Sequence, residues 1–110
     1  MKYAIVVDYQ FDFVEGALGT ERAKALFERM EKRIKELKAQ GWEIIFTYDT
    51  HDVNYLQTME GKNLPVEHCI IGTEGWKIPK DLIQDDDITV VKNTFGYWNW
   101  SRFLDSCFIN

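Results

Sequence analysis

Three short apolar runs, each stopping abruptly at a charged side chain, constrain this chain more than any other feature of it. Residues 2–7 (KYAIVV) end at Asp8, residues 42–48 (WEIIFTY) end at Asp49, and residues 88–91 (ITVV) end at Lys92. Short apolar, β-branched runs of this kind suit strands buried on both faces of a parallel sheet. Between the first two lies a helix. Thr20 stands as its N-cap and Glu21 in its first turn. Ala23, Leu26, Phe27, Met30, Ile34 and Leu37 then recur at three- and four-residue spacing, and Gly41 falls at the C′ position. The opposite face, rich in Lys, Arg and Glu, reads as solvated surface. Strand, helix and strand in this order make a βαβ unit, which crosses over right-handed. The fold class expected is therefore α/β, an open and mostly parallel sheet with flanking helices. Residues 9–19 carry two glycines and no helical period, so they read as a loop. Residues 50–79 read as a long irregular region, of the kind that is usually functional or poorly ordered in a compact domain. Residues 97–107 read as a short helix. No repeat or linker divides the chain, so residues 1–110 are expected to form one domain.

Charge and cysteine usage exclude several function classes. The net charge of −5 opposes a nucleic-acid or anionic-membrane surface, both of which need a basic footprint. The N-terminal apolar run is too short for a signal peptide, and nothing approaches the roughly 18 apolar residues of a membrane span. Cys69 and Cys107 make no disulfide framework, and no CxxC occurs. A cytoplasmic protein is expected, with no nucleic-acid or membrane partner.

The chemistry collects at the strand ends. Asp8, Asp49 with His51, and Lys92 each lie at or just beyond the carboxyl end of a strand, where open parallel sheets bind ligands. Asp49 and His51, two residues apart, can approach one ion from the same loop, and Glu60 and His68 can complete its shell. The chain has only two histidines, both in this window beside a strand-end aspartate. Mixed nitrogen and oxygen donors suit zinc, manganese or iron. An aspartyl-phosphate phosphatase also places an aspartate after a first strand, but it needs a second one two residues on, where this chain has Gln10.

These segments resemble the isochorismatase-like cysteine hydrolases, the group that includes nicotinamidases. Residues 6–19 (VVDYQFDFVEGALG) are similar to the family's first strand and loop, matching at Asp8, Gln10, Asp12 and Phe13, with Phe11 where an asparagine is usual. Residues 48–51 (YDTH) resemble its metal loop. Residues 64–75 (LPVEHCIIGTEG) resemble its Pro, His and Gly-Thr-x-Gly segment, and residues 91–96 (VKNTFG) its lysine strand and following turn. The resemblance implies an isochorismatase-like, Rossmann-like three-layer fold with its C-terminal half missing. It implies Asp8 as general base and Lys92 as the cation flanking a nucleophile. Asp49, His51 and His68 would bind a divalent metal, with Glu60 close by. The activity implied is metal-dependent hydrolysis of a small carboxamide, nicotinamidase-like, through an Asp-Lys-Cys mechanism; the alternative is a non-catalytic metal-binding remnant of that fold.

The family's nucleophile lies well beyond the lysine, whereas this sequence ends 18 residues after Lys92. Cys107, in residues 105–110 (DSCFIN), has no following helix to present an oxyanion hole, and Cys69 sits where the family has no nucleophile. The chain alone is therefore expected to be inactive. A three-stranded sheet with one long helix would leave one face bare, so Ile5, Val7, Ile44 and Phe46 or their neighbours are expected to be exposed, and the chain is expected either to form a homo-oligomer or to be the shortened product of a longer coding sequence.

Overall fold

The computed structural model describes residues 2–92. Within them three strands, β1 (Tyr3–Val6), β2 (Glu43–Asp49) and β3 (Ile88–Lys92), form a parallel sheet in the order β1-β2-β3. Each strand falls within a residue of the apolar run that announces it. The α-helices are α1 (Phe11–Val14), α2 (Glu21–Ala25), α3 (Phe27–Ala39) and α4 (Met59–Asn63), and 3₁₀ turns form at Tyr55–Gln57 and Glu74–Trp76. None of the described helices is long and apolar enough to cross a membrane. The expected helix over residues 97–107 lies outside the described residues.

The helix between β1 and β2 begins and ends where its caps predict. The Thr20 hydroxyl accepts the Ala23 amide at 3.0 Å. At the other end Gly41 takes φ +88°, Gly41 N–H donates to the Lys38 carbonyl at 3.0 Å, and Trp42 N–H donates to the Leu37 carbonyl at 3.0 Å. That paired pattern is a Schellman cap, which needs the left-handed conformation that glycine adopts without strain. The helix is not continuous, however. It divides at Leu26, whose amide reaches back only three residues, to the Ala23 carbonyl at 3.3 Å. The Tyr9 hydroxyl donates to that same carbonyl, so a tertiary contact intrudes on the helical ladder at this turn. Leu26 is left 38% exposed, while Phe27 and Met30 remain against the core. Two regions read as loop also hold short helices: α1 lies within residues 9–19 and α4 within residues 50–79. Single turns of four or five residues are too short to show a period.

The core gathers on one face of the sheet. Ile34 and Leu37 of α3 pack on Ile44 and Phe46 of β2, with Tyr9, Val14, Ile78 and Leu82 closing the sides. This overturns the expectation that Ile44 and Phe46 are exposed; they are 2% and 0% accessible. The reason is pleat parity. Ile5 pairs in register with Ile45, and Ala4 with Ile44, so Ile5 and Ile44 point to opposite faces. Ile5 and Val7 are indeed exposed, at 41% and 61%.

Candidate functional site

Strand register brings the charged ends together. Asp49 and Lys92 are direct partners across β2 and β3, and Thr50 N–H donates to the Lys92 carbonyl at 2.7 Å. Asp8 follows β1 with φ +51°, a left-handed turn that aspartate tolerates better than most residues. The turn sends its carboxylate inward. Lys92 Nζ lies 2.8 Å from Asp8 Oδ2, and the ammonium is almost wholly buried. Thr47 meets the same residue twice: its hydroxyl donates to the carboxylate at Asp8 Oδ1 and accepts the Asp8 backbone N–H at 2.9 Å. A buried ammonium, a half-buried carboxylate and a fixed hydroxyl thus form one network. It joins residues 84 positions apart.

The second group lies one turn of chain further on. Asp49, His51 and His68 present donor atoms that all lie within 4.8 Å of one another. Asp49 Oδ2 is 3.1 Å from His51 Nε2 and 3.4 Å from His68 Nε2, and Glu60 Oε2 approaches His51 Nε2 at 3.1 Å. A parallel bridge between His51 and Ile70 carries the two histidine segments side by side, with His51 N–H donating to the Cys69 carbonyl at 3.0 Å. Asp49, His51 and His68 therefore meet at one point, and Glu60 joins them through its approach to His51.

Hydrogen-bond roles test whether a cation fits there. His68 Nδ1 faces the Val66 carbonyl at 2.7 Å, so it is placed to donate its hydrogen there. Its Nε2 is then the ring atom turned toward the carboxylate of Asp49, at 3.4 Å. His51 Nε2 carries at most one hydrogen, yet two carboxylate oxygens converge on it. Glu60 Oε2 is buried without an aligned hydrogen bond among the described residues. Nitrogen and carboxylate donors crowded together in a buried place need a proton or a metal cation among them. The nitrogen and oxygen donor set suits a divalent transition metal.

Two contributors escape sequence reading. Thr47 is fully buried and shares a sheet face with Asp49 by strand parity; a polar residue inside an apolar run was the available signal. Tyr55, also fully buried, packs its ring at 4.6 Å from His51 and 4.9 Å from His68, while its hydroxyl donates to the Leu64 carbonyl. Nothing local to its sequence marks it.

Cys69 stands beside His68 but is built for another purpose. Its φ is +50°, and its amide donates to Asp12 Oδ2 at 2.8 Å. Asp12 therefore pins a left-handed turn. Burial pushes the Cys69 thiol far up, and the charges of Asp49, Asp12 and Asp8 push the same way, against a smaller opposing effect of Lys92. Thiol reagents are expected to label it only as the protein unfolds. Stability carries the matching sign. The ordinary thiol value is 9.0, so above it the unfolded chain releases this proton while the folded chain keeps it. Folded stability should fall with rising pH there, by at most about 1.4 kcal/mol per pH unit from this group, and be untouched below it. Urea titrations at several alkaline pH values, with Cys69→Ala as control, measure that slope. An unchanged slope in the variant would remove the assignment.

The sequence matches the isochorismatase domain family model over residues 2–106. No curated protein matches it in sequence. Among solved structures, a pyrazinamidase of Pyrococcus horikoshii in complex with zinc aligns with TM-score 0.79 at 26% identity, over 96% of this chain and 64% of that one. A pyrazinamidase/nicotinamidase from Streptococcus mutans aligns with TM-score 0.81 at 23% identity, over 97% of this chain and 66% of that one. An isochorismatase-like hydrolase from Alkaliphilus metalliredigens gives TM-score 0.80 at 21% identity, covering 99% and 63%. The chain thus spans somewhat less than two thirds of the length of these structures, and the parallel sheet with flanking helices is common to all.

Proposed function

We propose, from the premise that this chain belongs to the isochorismatase domain family, that it carries the base, cation and metal-holding groups of an amidohydrolase of the nicotinamidase type, acting on a small carboxamide. The observation that supports this most is the shared register of the two groups: Lys92 of the Asp8 pair is the strand partner of Asp49 in the histidine cluster. Asp49, His51, Glu60 and His68 would hold zinc, manganese or iron. When bound, the ion would fix a heteroatom of the substrate and so orient its amide.

The chain's own groups have separate tasks. Asp8 accepts a proton from a cysteine thiol, and Lys92 beside it favours the thiolate that results. The thiolate sulfur bonds to the amide carbon, Asp8 returns the proton to the departing amine, and water cleaves the thioester to the acid. Thr47 holds the Asp8 carboxylate in line throughout. Among the described residues Cys69 is the one free cysteine, and its thiol is raised away from ionisation. It does not serve this step. Cys107 lies outside the described residues. A polypeptide of these 110 residues alone is proposed to bind metal and carboxamide without turnover.

A second reading, a metal-binding module with no substrate, draws on the same placement of Cys69. Nicotinamide titrated into zinc-loaded protein separates the two: binding lost in His51→Ala supports the amidase site, and no binding favours the module. Ammonia release from nicotinamide, with zinc or manganese, is expected to stay at the blank. Release that survives Cys69→Ala and Cys107→Ala together would sink the cysteine mechanism. Self-association belongs to the proposal as well, supported by exposed Ile5 in β1 and Val7 just after it. A purely monomeric sedimentation profile would remove it.

A further inference from the structure

The structure assigns Gln10 the part of a positioning residue that completes the unfinished edge of β1 beside Asp49, and so couples the two halves of the site. The metal-holding role of Asp49 in this inference rests on the proposed function above; the strand-completing role does not.

β1 stops short. Its last register pair is Val6 with Phe46, and the chain then turns away at Asp8, φ +51°, to bring its carboxylate to Thr47 and Lys92. β2 continues three residues further, to Asp49. On the side facing β3 the ladder is maintained, ending with Thr50 N–H on the Lys92 carbonyl. On the side facing β1 the register has ended three residues earlier, at Phe46, and the Asp49 amide and carbonyl turn to the Gln10 side chain. Asp49 is 7% accessible, so each group left unpaired would cost on the order of 1–3 kcal/mol.

The Gln10 carboxamide fills that gap. Its Oε1 accepts Asp49 N–H at 2.8 Å, and its Nε2 donates to the Asp49 carbonyl at 2.9 Å. The pair reproduces what one more strand residue would have provided. The second Nε2 hydrogen goes to the Trp76 carbonyl at 2.7 Å, tying in the 3₁₀ turn whose indole donates to Thr50 Oγ1. Gln10 is wholly buried, and its acceptor and both donors are engaged. Its own amide donates to the Asp8 carbonyl at 2.8 Å. The backbone that turns Asp8 toward Lys92 is therefore the backbone that carries the brace on Asp49. A carboxylate held this way meets both imidazoles; one free to drift would not.

Two variants and two readouts test this. Gln10→Met keeps length without hydrogen bonds, and Gln10→Glu sets an oxygen against the Asp49 and Trp76 carbonyls. Both are expected to weaken zinc binding by about 10- to 100-fold, the usual loss when a ligand's support is removed. Leu37→Ala, which loosens the core of α3, is expected to lose stability while its zinc affinity stays within about threefold, separating positioning from general destabilisation. In metal-free protein, hydrogen exchange at the Asp49 amide should rise at least about tenfold in Gln10→Met relative to the Ile45 amide. Wild-type protein that takes up no zinc would end the metal reading, leaving the exchange measurement to judge Gln10. Zinc affinity unchanged in both variants of a zinc-binding protein, or an unchanged Asp49 exchange rate, would overturn the inference.

Discussion

Replacing His68 with alanine is expected to weaken zinc binding by more than about 100-fold while leaving the sheet folded. Loss of an outer partner alone typically costs 10- to 100-fold, and His68 is placed to touch the ion itself. Its Nδ1 is placed to donate to the Val66 carbonyl, which orients Nε2 toward the carboxylate of Asp49. Tyr55 and Phe13 press on the ring from two sides, at 4.9 and 5.5 Å, so the donor is held rather than searching. His51→Ala should act in the same way, since His51 Nε2 lies 3.1 Å from both Asp49 and Glu60. Competition against a coloured chelator reads the affinity, and circular dichroism checks the fold. Affinity within threefold of wild type in both variants would mean that the ion sits elsewhere.

Lys92→Met is expected to cost about 3 kcal/mol of folding stability, the lower end for breaking a buried pair. The low end applies because the Asp8 side chain keeps 19% of its exposure, and water can reach the carboxylate that is left behind. The cost is mostly that of an orphaned charge, not of a lost attraction. Asp8→Asn combined with Lys92→Met should therefore recover much of the loss. A double-mutant cycle in urea measures the coupling. Additive losses would show that Thr47 and solvent already satisfy Asp8 without the lysine.

Much of this arrangement was legible because parallel strands impose it. Runs that end at Asp8, Asp49 and Lys92 must deliver those residues to one edge once the strands align, however far apart they lie in sequence. Thr20 and Gly41 likewise marked the limits of the helical region through side-chain and backbone chemistry that acts locally. What stayed hidden depends on contacts across the fold. The break at Leu26 coincides with a bond from the Tyr9 hydroxyl to the Ala23 carbonyl, and Tyr9 arrives from the loop after β1. The burial of Ile44 and Phe46 follows from a register that only pairing defines. The short helices α1 and α4 are single turns, stabilised by what surrounds them more than by any periodic face. At the site, Glu60 and His68 were visible as metal-ligand residue types, but the Tyr55 ring packed against both imidazoles was not. Gln10 stood in the motif without a task. Its carboxamide becomes meaningful only beside the Asp49 peptide, 39 residues away.

The most direct test of the metal centre is zinc-edge X-ray absorption on protein loaded with one equivalent of zinc. Ligands drawn from Asp49, His51, Glu60 and His68 predict nitrogen and oxygen neighbours at about 2.0–2.2 Å, with outer-shell scattering from two imidazole rings. A sulfur neighbour near about 2.3 Å, or scattering from no imidazole, would contradict it.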